Sequence, residues 1–351
     1  PTIAFVTLGC RVNQYDTDSM RGLFLKEGYT ERDFHDAADV YVVNTCSVTQ
    51  MGEKKSRQLI RRAKKINPSA IVVVTGCYAQ LNPELLSSMP DVDAVVGTNE
   101  RHRIVPLVQM LLGRGGGEAV TLSMMPAMPM PLRKYPCIHR RLNNPGGSEN
   151  PGRCNNFCSY CIIPYTRGAL KSRQPDAIIR EAQRLVDAGF RELVLTGIHL
   201  GAYGRELPAI PPGADTETAL EETDVQRIRL GSLESLEVDD ELIDVMNQSD
   251  RICPHLHLPL QSGSDTILKA MNRKYTKEEF ICLIETLRHR IHHLTVSTDL
   301  ILGFPGETDE LFEETLDTLQ KLRFSHIHAF PYSPRQDAGS GYERPGRPGC
   351  Q

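Results

Sequence analysis

The chain has 351 residues, 40% hydrophobic and 24% charged, with a formal net charge of −4 and a pI near 6.3; this is enough apolar material for about two packed domains and excludes a disordered chain. The slight acidity excludes nucleic-acid binding through a whole-body positive field, so any such binding must be local. Ten cysteines are too few for a disulfide scaffold of this length, and several have metal-like spacings; no apolar run approaches the ~20 residues of a membrane span and no signal-peptide pattern opens the chain, so a cytoplasmic protein is expected.

In chain order, IAFVTLGC (3–10), DVYVVNTC (39–46), AIVVVTGC (70–77) and DAVVGT (93–98) are short apolar runs rich in β-branched residues. Polar, helix-like segments lie between them, from about Asp16 to Glu27 and from about Met51 to Ile66. Strands alternating with helices imply parallel βαβ units, and continuous apolar runs imply strands covered on both faces. Residues 113–152 (GRGGGEAV, MMPAMPMP, NNPGGSENPG) are rich in Gly, Pro and Met and read as a linker. The α/β rhythm then resumes, with strand candidates at 191–200, 227–233, 255–260, 294–304 and 325–332 and helix candidates at 175–188, 239–248, 264–271, 276–290 and 308–322. That is five or six βα units, short of a full eight-unit barrel. Residues 205–224 carry three prolines and read as a loop, and 335–351 as a disordered tail. The expected organisation is therefore an open parallel-sheet domain over 1–112, the linker, a partial (β/α)6 barrel over 153–334, and the tail.

Cys10, Cys46 and Cys77 each end an apolar run, at the carboxyl end of an expected parallel strand. Ligands bind beyond those ends in open parallel sheets. A single cysteine there is more often a small buried hydrophobe; three on successive strands favour a shared site. The second set, CNNFCSYC (154–161), is a compact Cys-x3-Cys-x2-Cys. Four thiolates would close a zinc or iron–sulfur site. Three around a 4Fe–4S cluster leave one iron for a small molecule. Zinc with three cysteines and a water is the competing arrangement, but no fourth His or Cys lies within a knuckle spacing, and the catalytic-zinc pattern of deaminases needs a Glu beside its ligand.

CxxxCxxC on an α/β chain resembles the radical S-adenosylmethionine (SAM) superfamily. TLGCRVNQYDTDSM, VVNTCSVT and VVTGCYAQ, followed by CNNFCSYCIIPYTRG, VLTGIHLGAYG, RLGSLE, HLHLPLQSGSD, MNRKYT and TDLILGFPGET, resemble the methylthiotransferases within it. NQYD, GIHLGAYG and HLHLPLQSG are most like the branch acting on N6-threonylcarbamoyladenosine in tRNA. The resemblance implies that Cys154, Cys158 and Cys161 hold a 4Fe–4S cluster that binds SAM, and that Cys10, Cys46 and Cys77 hold an auxiliary 4Fe–4S cluster. It places Tyr160 near the adenine of SAM, Thr196 and Gly197 at its methionine end, and Ser232 and Glu234 near its ribose or sulfonium. No catalytic side chain is expected beyond the cluster ligands. The implied reaction uses two SAM molecules, one to methylate sulfur at the auxiliary cluster and one to yield a radical that removes hydrogen from C2 of the adenine beside the anticodon. The implied partners are tRNA and an electron donor such as flavodoxin or ferredoxin, with a monomer expected. Other tRNA adenosines, a protein side chain, or a non-catalytic iron–sulfur role are the alternatives.

Residues 137–153 make a poor strand where the family has one just before the SAM-cluster cysteines. The family also continues, after the FPYSPR stretch, into a small β-rich RNA-binding domain, which is expected to be absent here.

Three weaker signals remain. Residues 51–67 carry Lys54, Lys55, Arg57, Arg61, Arg62, Lys64 and Lys65, a solvated helix face or a contact for tRNA phosphates. His255 and His257, and His326 and His328, alternate along strands and point to one face; interior or pocket-lining histidines are expected there rather than a metal site. GFPGE (303–307) is a glycine-marked turn without the GK[ST] ending of a phosphate loop.

Overall fold

The computed structural model describes residues 1–114, 119–122, 146–150, 156–167, 172–197, 200–204 and 223–334. They form two units. The first comprises Pro1–Glu149 with Ile163–Ala169 and Asp176–Glu181, and the second the remainder.

The first unit is a six-stranded sheet with helices on both faces. Its elements are β1 (Thr2–Thr7), α1 (Arg11–Lys26), β2 (Thr30–Arg32), β3 (Val40–Thr45), α2 (Gln50–Ile66), β4 (Ile71–Gly76), α3 (Cys77–Leu81), α4 (Pro83–Ser87), β5 (Ala94–Val96), α5 (Ile104–Arg114) and β6 (Val120–Leu122). The strand order is β2-β1-β3-β4-β5-β6, and every pairing is parallel. The apolar runs divide by period two. Ala4, Tyr41, Val43, Val72 and Val74 face Ile60 and Ala63 of α2 and Leu86 of α4. Ile3, Phe5, Val40, Val42 and Val73 face Met20 and Phe24 of α1 and Ile104 and Val108 of α5. A strand buried on both sides cannot alternate with polar residues, which is why these segments are continuous apolar runs. α2 stays helical despite its seven basic side chains because Ile60 and Ala63 are buried and the Thr49 hydroxyl accepts from the Gly52 N–H.

Two strands of this sheet lie outside the expected ones. β2 is polar and exposed (TER), a short edge strand with no apolar signature. β6 falls inside the stretch expected as a linker and extends the sheet beyond β5. Helix α1 begins at Arg11 rather than near Asp16, so it starts immediately after Cys10.

At the end of the 113–152 stretch, β7 (Gly146–Asn150) forms where a poor strand was expected. α6 (Ile163–Arg167) and α7 (Pro175–Asp187) follow. In the second unit, β8 (Glu192–Gly197) pairs in parallel with β9 (Arg227–Leu230). After α8 (Asp240–Gln248), β10 (His255–His257) and β11 (Thr295–Leu302) pair in parallel, with α9 (Asp265–Ala270) and α10 (Lys277–Arg290) between them. α11 (Asp309–Leu322) leads to β12 (His326–Pro331), parallel to β11. Parallel bridges Ile228↔Ile252 and Ser232↔His257 continue the order from β9 to β10. The parallel order β8-β9-β10-β11-β12 within the second unit is that of a partial barrel. Its helices begin on strong caps: Asp239 before α8, the Thr276–Glu279 capping box of α10, and Thr308 before α11. β10 stops early because Pro259 cannot donate to a ladder. Residues 205–222 and 335–351, expected as loop and tail, lie outside the described residues. No helix among the described residues is long and apolar enough to cross a membrane.

Candidate functional site

Sheet register brings the first three cysteines to one edge. β1, β3 and β4 are neighbours, Thr7 pairs with Asn44, and Thr45 pairs with Gly76. Cys46 and Cys77 are therefore the next positions on adjacent strands, and Cys10 follows β1 beside them. Cys46 and Cys77 are buried and Cys10 is exposed. Close backbone approach makes this possible. Gly76 has φ +97°, and a Cβ there would lie 2.3 Å from the Thr45 carbonyl oxygen. A Cβ on Gly9 would lie 2.9 Å from the Cys46 Sγ, so the backbone before Cys10 rests on that thiol.

Asn13, in the first turn of α1, ties this corner together. Its Nδ2 donates to the Leu8 and Thr45 carbonyls at 2.8 and 3.0 Å, and its Oδ1 lies 4.0 Å from the Cys77 Sγ. Arg167 Nη2 donates to the same Oδ1 at 2.6 Å. Asp16 is shared by two guanidiniums, Arg101 at 2.6 Å and Arg167 at 3.0 Å. Two guanidiniums on one carboxylate leave net positive charge at this corner.

The donor set is three thiols at the ends of neighbouring strands, and a cubane gives each thiolate its own iron. Three buried polar atoms at the ends of these strands, Asn44 Oδ1, Ser47 Oγ and Thr75 Oγ1, have no hydrogen-bond partner. Buried hydroxyls without partners are costly in a finished core, and a polar group seated beyond the strand ends would give them one.

In the second set, Cys154 lies outside the described residues; Cys158 is buried and Cys161 half-buried. The Cys161 N–H donates to the Cys158 carbonyl at 2.9 Å, closing a tight turn. The segment after α9 holds this loop. Ser159 donates to the Met271 and Ala270 carbonyls, and Asn272 Nδ2 donates to the Phe157 carbonyl at 2.9 Å. Phe157 adopts φ +45° and Asn272 φ +60°. Asn tolerates that conformation; for Phe it is strained, and such strain persists only where the surroundings over-determine it.

Arg273 is the centre of this site. Its side chain is 3% exposed. It forks onto Glu234 at 2.6 and 3.3 Å, reaches the Cys158 Sγ at 3.5 Å, and donates to the Tyr275 hydroxyl and the Pro259 carbonyl. Burial pushes the Tyr275 hydroxyl up to about 12, against the pull of Arg273. A cavity of about 170 Å³ opens here, lined by Cys158, Glu234, Glu237, Asn272, Arg273 and Lys274 among others. Its wall carries both signs of charge beside the Cys158 thiol, which suits a zwitterion with an amino and a carboxylate group.

Of the residues expected to touch SAM, Glu234 lines this cavity. Tyr160, Thr196, Gly197 and Ser232 are not among the residues lining it. Tyr160 packs against Ile267, Met271 and Phe304, and burial holds its hydroxyl well above the usual tyrosine range. Thr196 is buried at the end of β8, next to Gly197. Ser232 bridges to His257. Arg273 escaped functional assignment because it stands 112 residues beyond Cys161; the MNRKYT motif was its only signal. In α2, Lys54, Lys55, Arg61, Arg62 and Lys65 are exposed, whereas Arg57 bonds the Tyr78 hydroxyl and Lys64 pairs with Asp93. The GFPGE turn is closed by Glu307, whose Oε2 accepts from the Gly303 N–H at 2.6 Å.

Residues 2–97 match the uncharacterized protein family UPF0004, and residues 151–319 match the Radical SAM superfamily. The threonylcarbamoyladenosine tRNA methylthiotransferase MtaB of Bacillus subtilis is 44% identical, with 95% of this chain and 74% of the relative covered. MtaB of Aquifex aeolicus is 39% identical, over 95% of this chain and 80% of that one. The tRNA-2-methylthio-N(6)-dimethylallyladenosine synthase of Pelotomaculum thermopropionicum is 35% identical, over 94% and 75%. Among solved structures, the radical SAM methyltransferase TsrM of Kitasatospora setae shares the fold with a TM-score of 0.64 at 15% identity, covering 94% of this chain and 74% of TsrM. The chain belongs to the radical SAM methylthiotransferases, in their tRNA threonylcarbamoyladenosine branch.

Proposed function

We propose that this protein adds a methylthio group to C2 of N6-threonylcarbamoyladenosine next to the anticodon in tRNA, working in the cytoplasm with an external electron donor and as a monomer. The observation that carries the reading is the 44% identity to MtaB over 95% of the chain. The cysteine geometry supports it. Cys154, Cys158 and Cys161 would hold the 4Fe–4S cluster that binds SAM, and Cys10, Cys46 and Cys77 a second cluster. When bound, the first cluster would supply the electron that cleaves SAM, and the second would supply sulfur for the methylthio group.

The chain's own residues bind, charge and shield. The Arg273 guanidinium lies against the Cys158 sulfur and offsets thiolate charge in a buried site. Glu234, held by the same guanidinium, presents an acceptor to the cavity. Asn272 and Ser159 fix the cysteine loop. In the first unit, Arg167 and Asn13 set the charge and hydrogen bonding around Cys77. An adenine beside the anticodon can be splayed out of its loop and stacked in a pocket.

The test is anaerobic incubation of the reconstituted protein with SAM, a reductant and tRNA carrying N6-threonylcarbamoyladenosine, followed by nucleoside mass spectrometry. A 2-methylthio product of that nucleoside is expected. The same product on dimethylallyladenosine tRNA alone would assign the chain to the other substrate, and SAM cleavage without any tRNA product would overturn the reading. Iron analysis should give about eight irons per chain, four per cubane; about four would leave Cys10, Cys46 and Cys77 without a cluster.

A further inference from the structure

The histidines of β10 and β12 meet a carboxylate that no sequence motif tied to them. His257, Asp299 and His328 stand on three adjacent strands. Register pairs His257 with Ser297, and Asp299 with His328, so all three side chains share one face of the β10-β11-β12 sheet. One ligand atom from each lies within 4.8 Å of the other two. His257 Nε2 is 3.1 Å from Asp299 Oδ2. Two donors bound cis to one ion at bonds of about 2.1 Å are roughly 3.0–3.4 Å apart, so this edge already has coordination length. His328 is exposed and can rotate to close the third side.

A support for the ligands is also present. The Ser297 hydroxyl lies 2.9 Å from His257 Nδ1 and 3.0 Å from His255 Nε2. If His257 donates its Nδ1–H to Ser297, its Nε2 lone pair is free for an ion, and the serine hydroxyl can donate on to His255. Hydrogen bonding of the outer nitrogen is the usual way a metal-bound histidine is oriented and its tautomer fixed. Two imidazoles and one carboxylate, all from one sheet face, form a facial set that leaves positions open and suits Zn²⁺, Fe²⁺ or Mn²⁺.

We propose that His257, Asp299 and His328 form a binding site for a divalent transition-metal ion, separate from both cysteine sets, with open positions for water or an oxygen ligand. The site does not depend on the substrate or on the number of clusters.

The test titrates Zn²⁺ into the anaerobically reconstituted protein, whose cysteine sets are occupied by iron, in competition with a chromophoric chelator. One Zn²⁺ per chain is expected with no loss of iron, and Asp299→Asn and His328→Ala should each weaken binding at least tenfold. His326→Ala, which removes a ring that meets His328 edge-on at 4.3 Å between centroids but lies outside the set, should change it less than twofold. The zinc absorption edge should report nitrogen and oxygen neighbours only. Asp299→Asn is isosteric, and unchanged circular dichroism will separate lost binding from lost folding. Zinc uptake unaffected by Asp299→Asn and His328→Ala, a sulfur shell around the ion, or no uptake at all would overturn the site; in those cases His257 is a histidine satisfied by Asp299 and Ser297 alone.

Discussion

In the first unit the cysteines stand 36 and 31 residues apart in sequence, and sheet register assembles them. In the second they stand four and three apart in sequence, Cys158 and Cys161 share one tight turn, and the assembly problem is the environment. The first site is made by backbone, since β3 and β4 must approach closely enough that only Gly fits at position 76. Beside the thiols stand neutral groups, Asn13 and the hydroxyls of Ser47 and Thr75, with the Arg167–Asp16–Arg101 group one contact further out. The second site is made by one buried cation reaching a thiol, a carboxylate, a phenol and a carbonyl together. Shape therefore governs one site and charge the other, and substitutions should separate the two.

The largest effect is expected at Gly76. Gly76→Ala places a Cβ 2.3 Å from a backbone oxygen and forces a side chain onto φ +97°. A backbone oxygen cannot turn away, so the loss should reach roughly 4 kcal/mol, the upper range for single substitutions. Gly28→Ala is the control: φ is +81° but nothing lies within 4 Å of the added Cβ, so only about 1 kcal/mol of conformational cost remains. Urea midpoints of the two variants measure the difference. Equal losses would mean that close approach does not build the first site. The Gly76→Ala protein should also take up one cluster's iron instead of two.

Next comes Arg273. Arg273→Met strips the partner from a Glu234 carboxylate that is 23% exposed, and removing one member of a buried pair costs about 3 kcal/mol. Arg273→Lys keeps the charge but not the fork, and should fall between Met and the native chain. In the reconstituted protein, loss of a cation beside Cys158 should make the midpoint potential of that cluster more negative in the Met variant and much less so in Lys. If shape rather than charge governed this site, Lys and Met would shift the potential alike.

The two units should also respond to opposite ends of the pH scale. In the first, the Thr2 N–H holds the Asp39 carboxyl below its ordinary value, offset in part by burial. Its contribution is present above about pH 4 and is lost as pH falls through the lower folded value; Asp39 is largely exposed, so the effect is small. In the second, Tyr275 titrates near 10 when unfolded and at about 12 when folded. The folded state therefore holds the proton that the unfolded state releases. Stability is complete below pH 10 and falls as pH rises towards 12, by on the order of 2 kcal/mol. Tyr275→Phe should flatten this alkaline decline while leaving the acid limb in place. A decline of unchanged steepness would assign it to other groups.

The same contrast explains what the sequence revealed. Continuous β-branched runs ending in Cys10, Cys46 and Cys77 carry both the sheet and the placement of the three cysteines at one edge, because register follows from strand order. β2 and β6 were not legible: three-residue edge strands have too little apolar area for a pattern. In the barrel, CNNFCSYC was legible as a compact cysteine motif, but Arg273 and Asp299 were not legible as neighbours of Cys158 and His257. Those contacts join residues 115 and 42 positions apart, and no spacing rule in a single sequence reports them. β12 shows the limit in the other direction. Its alternation suggests a strand with one covered face, yet all six residues are exposed.

The smallest expected effect has the most informative sign. Ser47 and Thr75 bury hydroxyls that lack partners, so in the iron-free protein Ser47→Ala and Thr75→Val should be neutral or stabilising, by up to about 1 kcal/mol each. If those hydroxyls donate to a cluster held by Cys10, Cys46 and Cys77, the sign reverses once iron and sulfide are loaded. The double variant should then lose iron from the first site faster under a chelator than the native chain, while iron at the second site is released at the native rate. The pairing of a more stable iron-free protein with a less stable first cluster is specific to hydroxyls placed for a guest. A core defect would lower both stabilities, and a solvated pair of hydroxyls would change neither.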